Sequence, residues 1–167
     1  MMHSFKLRLI TISMIVVFAL LLPATVRSQT RSHTAENLNY VVVLPSAQWR
    51  SNDGTEFHYG DDVHLRIRRL LVDADLTMAD LIQREQSSDR LALPGYVKEK
   101  VEPFAGRLSG ARYAYEYVTN GKPTARLIYY LEANNRIVYR LEFAGPPDQL
   151  RALSAQTDFI AQTFRLK

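Results

Sequence analysis

Three strand-like runs follow one another with almost no chain between them. They span residues 110–118, 125–132 and 136–143, and are joined by Asn120-Gly121 and by Ala133-Asn134-Asn135. Asn-Gly favours a tight hairpin turn because both positions accept positive φ. Consecutive strands joined this closely must pair antiparallel. The first run contains ARYAYEY, which sets Tyr113, Tyr115 and Tyr117 at every second position, so the three rings stand on one face of a strand. The next two runs carry Leu127, Tyr129 and Leu131, then Ile137, Tyr139, Leu141 and Phe143, at the same spacing. The expected alignment puts all of these in a single apolar wall. Arg112, Glu116, Arg126, Glu132, Arg140 and Glu142 would then share the opposite, solvated face with Ile128 and Tyr130. The tyrosine row is read as a wall of the core, with a ligand platform as the alternative.

The remaining elements fit around this meander. LNYVVVLP is a β-branched strand stopped by Pro45, and TEFHY pairs with VHLRIRRLLV through Gly60-Asp61-Asp62. Thr77 and Asp80 form a capping-box start for a helix whose stripe is Met78, Leu81 and Ile82. YVKEKVEPF reads as one strand. After Pro146-Pro147 comes a last helix with Leu150, Leu153, Thr157, Ile160 and Phe164 on one side. That stripe is expected to dock on the tyrosine wall. The order β-β-β-α-β-β-β-β-α gives an α+β fold, an antiparallel sheet flanked by helices.

The first 28 residues read differently. Lys6 and Arg8 precede the unbroken run Leu9 to Leu22, Pro23 breaks it, and VRS places Val26 and Ser28 before Gln29. This is the pattern of a cleaved secretory signal peptide. The run is 14 residues long, short of the ~20 needed to span a bilayer as a helix. Residues 29–37 are polar and are expected to form a flexible leader, with residues 38–167 as the domain. Without Lys6, Arg8 and Arg27 the basic count falls from 21 to 18 against 17 acidic residues, so the net charge drops from +4 to +1. A near-neutral exported chain is a poor fit to nucleic acid. Once the signal is cleaved it is not an integral membrane protein, and it is expected in the periplasm or outside the cell. It contains no cysteine, hence no disulfide framework.

YVVVLPSAQW near the start of the domain, PGYVKEKVEPFAGRLSGARYAYEY in its middle and IVYRLEFAGPPDQLRALSAQTDFIAQTFRL at its end resemble the bacterial PsbP-like superfamily. That group includes the extrinsic PsbP subunit of photosystem II, a Ran-binding nuclear protein and DcrB-type envelope proteins. The resemblance implies an α/β/α sandwich built on an antiparallel sheet, and members that act mostly as accessory or binding proteins. It transfers no site residue by residue.

Candidate sites come from the residues themselves. His58, Asp61, Asp62 and His64 surround one turn and are the candidate metal ligands. Ordinary turn chemistry also accounts for Gly-Asp-Asp. His64, Arg66 and Arg68 share a strand face and are candidate partner contacts, with Trp49 as a possible anchor. DADLT lacks the calcium-loop glycine and terminal glutamate, since Met78 and Arg84 hold those positions. GRLSG enters a strand and is no nucleophile elbow, and no phosphate loop or dinucleotide fingerprint is present. The expectation is a non-enzymatic domain without cofactor that binds an envelope protein or other envelope component. The alternatives are a small-molecule or metal binder using the sheet end near His58 and Tyr59, and an envelope hydrolase.

Overall fold

The computed structural model describes residues 29–167 except 52, 74, 99, 100 and 135. The expected signal peptide lies outside the described residues. The chain runs β1 (Arg31–Ala35), a 3-10 turn (Glu36–Leu38), β2 (Tyr40–Leu44), β3 (Trp49–Ser51), β4 (Glu56–Tyr59) and β5 (Val63–Leu71). Helix α1 (Met78–Ala92) follows, then β6 (Val97–Lys98), β7 (Glu102–Ala105), β8 (Ser109–Thr119), β9 (Lys122–Asn134) and β10 (Ile137–Gly145). Helices α2 (Pro147–Ala152) and α3 (Ser154–Thr163) and strand β11 (Arg165–Leu166) complete it. The α+β class with antiparallel sheets is as expected.

The main sheet has eight strands, in the order β3-β4-β5-β10-β9-β8-β6, with β7 also on β8. A smaller sheet places β2 between β1 and β11. Residues 31–35, expected within a flexible leader, are therefore a paired strand. Their side chains are mostly polar, but a ladder is made by the backbone: Arg31 to Ala35 pair one by one with Leu44 to Tyr40. Ala35 is buried, and the His33 ring meets Phe57 edge-on at 5.5 Å. The run read as one strand around residue 99 is two short strands, both on β8. The single last helix is two, which meet at Leu153.

The hairpin turn decides which residues share a face. Asn120 and Gly121 both have positive φ, 51° and 72°, and Thr119 stands opposite Lys122. Odd residues of β8 therefore pair with even residues of β9: Tyr113 with Ile128, Tyr115 with Arg126, Tyr117 with Thr124. Across the next turn, Tyr130 pairs with Arg140 and Ile128 with Glu142. The expected single apolar wall is thus wrong. Tyr113, Tyr115 and Tyr117 lie on the face opposite Tyr129 and Leu141.

Both faces are buried. One face unites Trp49, Phe57, Leu65, Leu127, Tyr129, Leu141 and Phe143 with Tyr40 and Val42 of the small sheet and Ile160 and Phe164 at the chain's end. Phe164 packs between Tyr40 and Tyr139, 5.1 Å from each ring centre. The last helix therefore docks away from the tyrosine row, against Tyr139 and the small sheet. The other face gathers Tyr113, Tyr115, Tyr117, Ile128, Tyr130 and Val138 under Ile82 of α1, with Met78 and Leu81 beside it. Buried tyrosines confirm the wall over the platform; the covering element is α1. That helix starts at the expected capping box, Thr77 Oγ1 accepting from Asp80 N–H at 3.2 Å and Asp80 accepting from Thr77 N–H at 3.1 Å.

Candidate functional site

The stripe of α1 changes character along its length. Met78, Leu81 and Ile82 are apolar; one and two turns further on, the same side presents Glu85 and Asp89. The sheet beneath changes in parallel. Its tyrosines and Val138 meet the apolar turns, while Arg126, Arg140, Glu142, Arg66 and Arg68 meet the acidic ones.

Arg140 is only 7% exposed and is held from two sides. Its Nε donates to Glu85 Oε2 at 3.0 Å, and an Nη donates to Glu142. Arg126 Nε lies 3.1 Å from Glu142 Oε1, and its Nη1 donates to the Tyr115 hydroxyl at 3.0 Å. The Arg126 guanidinium also sits 5.1 Å from the centre of the Tyr117 ring, close enough for a cation–π contact. The Tyr130 hydroxyl donates to Glu85. Burial pushes the Glu142 carboxyl up, but Arg140 and Arg126 beside it hold it below the usual carboxylate range. Burial also raises the Tyr115 and Tyr130 hydroxyls well above the ordinary phenol value, so both stay protonated. Buried charges that are paired and hydrogen-bonded in this way fix the position of α1.

The network ends at an open groove of about 320 Å³ along the flank of α1, lined by Arg66, Arg68, Glu85, Asp89, Arg126 and Glu142 among others. Arg66 Nε meets Glu56 Oε1 at 2.5 Å. Arg68 stands opposite Arg140 in register, and among the described residues it has no ion pair within 4 Å. Like charges directly opposite repel. Glu85 and Glu142 balance Arg140, and Arg68 keeps its charge at the mouth of the groove.

The predicted contacts divide. His64, Arg66 and Arg68 do share one face of β5 and are exposed there, and the half-buried Arg126 and buried Arg140 and Glu142 lie on the same face of the sheet. Trp49 does not: it is 1% exposed, packs on Phe143 and Tyr59, and donates from Nε1 to Gln156 Oε1 at 3.1 Å. A ring of that size at the end of the main sheet is worth more buried than exposed, so Trp49 cannot anchor a partner. The four predicted metal ligands do not converge. His58 and His64 face each other, Asp62 Oδ2 accepts from Gln149 Nε2 at 3.1 Å, and Asp61 lies beside Arg50 and Tyr59. Among the described residues no three His, Asp or Glu side chains form a metal-holding group. The residues missed as site-formers are Glu85, Arg126, Arg140 and Glu142. Their signal was the hairpin register together with the acidic continuation of the α1 stripe.

The architecture has counterparts among solved structures. Cyanobacterial PsbP from Synechocystis superposes with a TM-score of 0.61 at 11% identity, covering 87% of this chain and 96% of that one. The fold is PsbP-like. A Pseudomonas aeruginosa protein of unknown function shares the PsbP-like fold at a TM-score of 0.59 and 16% identity, over 83% of this chain and 97% of that one. A Ran-binding protein of Saccharomyces cerevisiae shares it at 0.53 and 9%, over 83% and 96%. No protein-family model and no curated protein matches this PsbP-like chain in sequence. Among its described residues no helix is long and apolar enough to cross a membrane.

Proposed function

We propose that this chain is an exported, non-enzymatic accessory domain that binds an envelope protein through the groove beside α1. The observation that carries the reading is the asymmetry of the arginines on that face. Arg66, Arg126 and Arg140 each pair with a carboxylate within 4 Å, whereas Arg68, which lines the groove, is in no such pair among the described residues and reaches Glu142 only through its field. An exposed cation with no ion pair of its own is free to attract an acidic group of a partner. The PsbP-like fold supports an accessory role, and the basic-apolar-small pattern of residues 1–28 supports export.

A photo-crosslinking residue in place of Ser88, which is exposed and lines the same groove as Arg68, expressed in the native host, tests the binding reading. It should trap a discrete protein adduct that the same probe at Lys122, on the exposed hairpin tip, does not. Equal trapping at both positions, or none at 88, overturns it. Export has its own test: mass spectrometry of the extracytoplasmic protein should find Gln29 as the first residue, and retention of Leu9 to Leu22 would contradict cleavage.

A further inference from the structure

Strands β4 and β5 turn through Gly60, whose φ is 62°, and the turn sets His58 directly opposite His64. Both side chains are exposed. Their ring centres are 6.4 Å apart with planes inclined at 45°. Metal–nitrogen bonds of about 2.0–2.1 Å place the centres of two imidazoles on one ion roughly 4.5 Å apart at a right angle and roughly 5.2 Å at a tetrahedral one, so the two exposed rings must close by about 1–2 Å through side-chain rotation to share an ion. The next position in the row is Ala144, opposite His64 on β10, whose small side chain leaves that flank of the ring open. Arg50, opposite His58 on β3, and Arg66 add positive charge nearby, but Glu56 neutralises Arg66 at 2.5 Å. Glu142 adds a favourable field at His64.

We propose that His58 and His64 form a two-nitrogen chelate for a divalent d-block cation, Cu²⁺ before Ni²⁺ or Zn²⁺. Imidazole nitrogen selects these ions over Ca²⁺ and Mg²⁺, and Cu²⁺ leads the affinity order. Two protein ligands on an exposed strand pair leave the other coordination positions to water, so the site exchanges its ion. It differs from the four-residue cluster around the turn, because Asp61 and Asp62 take no part. The ligands must be unprotonated.

The test uses Cu²⁺ and Ni²⁺ titrated in competition with a weak chelator. The chain has four histidines; the protein used begins at Gln29, which leaves out His3, and carries His33→Ala, which removes the one packed against Phe57. In that background the protein should bind one equivalent, with two-nitrogen coupling in the Cu²⁺ electron paramagnetic resonance spectrum. His58→Asn alone and His64→Asn alone should each lower affinity at least tenfold, and the double variant should show no binding at this site. Circular dichroism checks that the variants fold, and saturating Ni²⁺ should raise the melting temperature of the two-histidine protein only. Unchanged affinity in either single variant, or a loss that divides into two independent equal steps, overturns the chelate.

Discussion

On one face of the main sheet Phe57, Leu65, Tyr129, Leu141 and Phe143 meet Trp49, Tyr40, Ile160 and Phe164 in an almost wholly apolar core. On the other, four tyrosines and Val138 give way within two strands to Arg126, Arg140 and Glu142, and one helix answers with Ile82 towards one end and Glu85 further along. The first face is closed by shape and buried area, which are insensitive to pH and salt. The second is closed half by area and half by pairs of charge, and its charged half is left open at the groove. A sheet buried on both sides can thus keep one side as scaffold and use the other for recognition.

The sharpest way to break the comparison is to truncate an aromatic on each side. Phe164→Ala, in the apolar core, should cost about 4 kcal/mol by urea denaturation. Tyr115→Ala should cost about 3 kcal/mol, at the low end for a buried ring because α1 can settle into the space. A stable Phe164→Ala protein would mean that the chain's end does not close the first face. A stable Tyr115→Ala protein would turn the tyrosine row back into an exposed platform.

Charge on the second face should matter next. Glu142→Gln strips Arg140 and Arg126 of a shared partner and should cost about 2–3 kcal/mol, less than for a fully buried pair because the groove admits water. The folded-state pKa of Glu142 is lowered, so its contribution is complete above the ordinary carboxylate range and lost as pH falls. The two proteins should therefore converge in stability in acid, measured by denaturation across a pH series. Tyr115→Phe removes only the hydroxyl that accepts from Arg126 and should cost about 1 kcal/mol. Tyr115, Tyr129 and Tyr130 have raised values when folded. Their stabilisation is present below pH ~10, the unfolded phenol value, and fades above it. Arg68→Ala should change stability by less than ~0.5 kcal/mol while abolishing crosslinking to the partner at the groove.

Much of the scaffold was readable from alternation and turn residues: the β8–β9–β10 meander, the Gly60 hairpin, the Thr77 cap and the stripe ending in Ile160 and Phe164. The faces were misassigned because alternation is blind to register. Asn120-Gly121 contained the missing information, since a two-residue turn pairs residues 119 and 122 and so sets odd positions against even ones. β1 was missed for a different reason: RSHTA has no apolar period, and it is ordered by a backbone ladder whose partner, β2, is what carries the hydrophobic pattern. Of the site, Arg66 and Arg68 were visible as a shared strand face. Glu85 and Glu142 were not, because their role comes from a helix crossing strands distant in the sequence.

The position of β2 between β1 and β11 also bears on the order of assembly. The meander from Ser109 to Gly145 needs only local loop closures, so it can form early and fast. The small sheet instead joins Arg31–Ala35 to Arg165–Leu166 through a common neighbour. Ordered from the amino terminus, as a chain emerges from a ribosome or a translocation channel, its last rung is supplied only after all the other described strands have appeared. The apolar core stays without Phe164 until then, so completion of the native state waits on the segment that carries Phe164 and Arg165–Leu166.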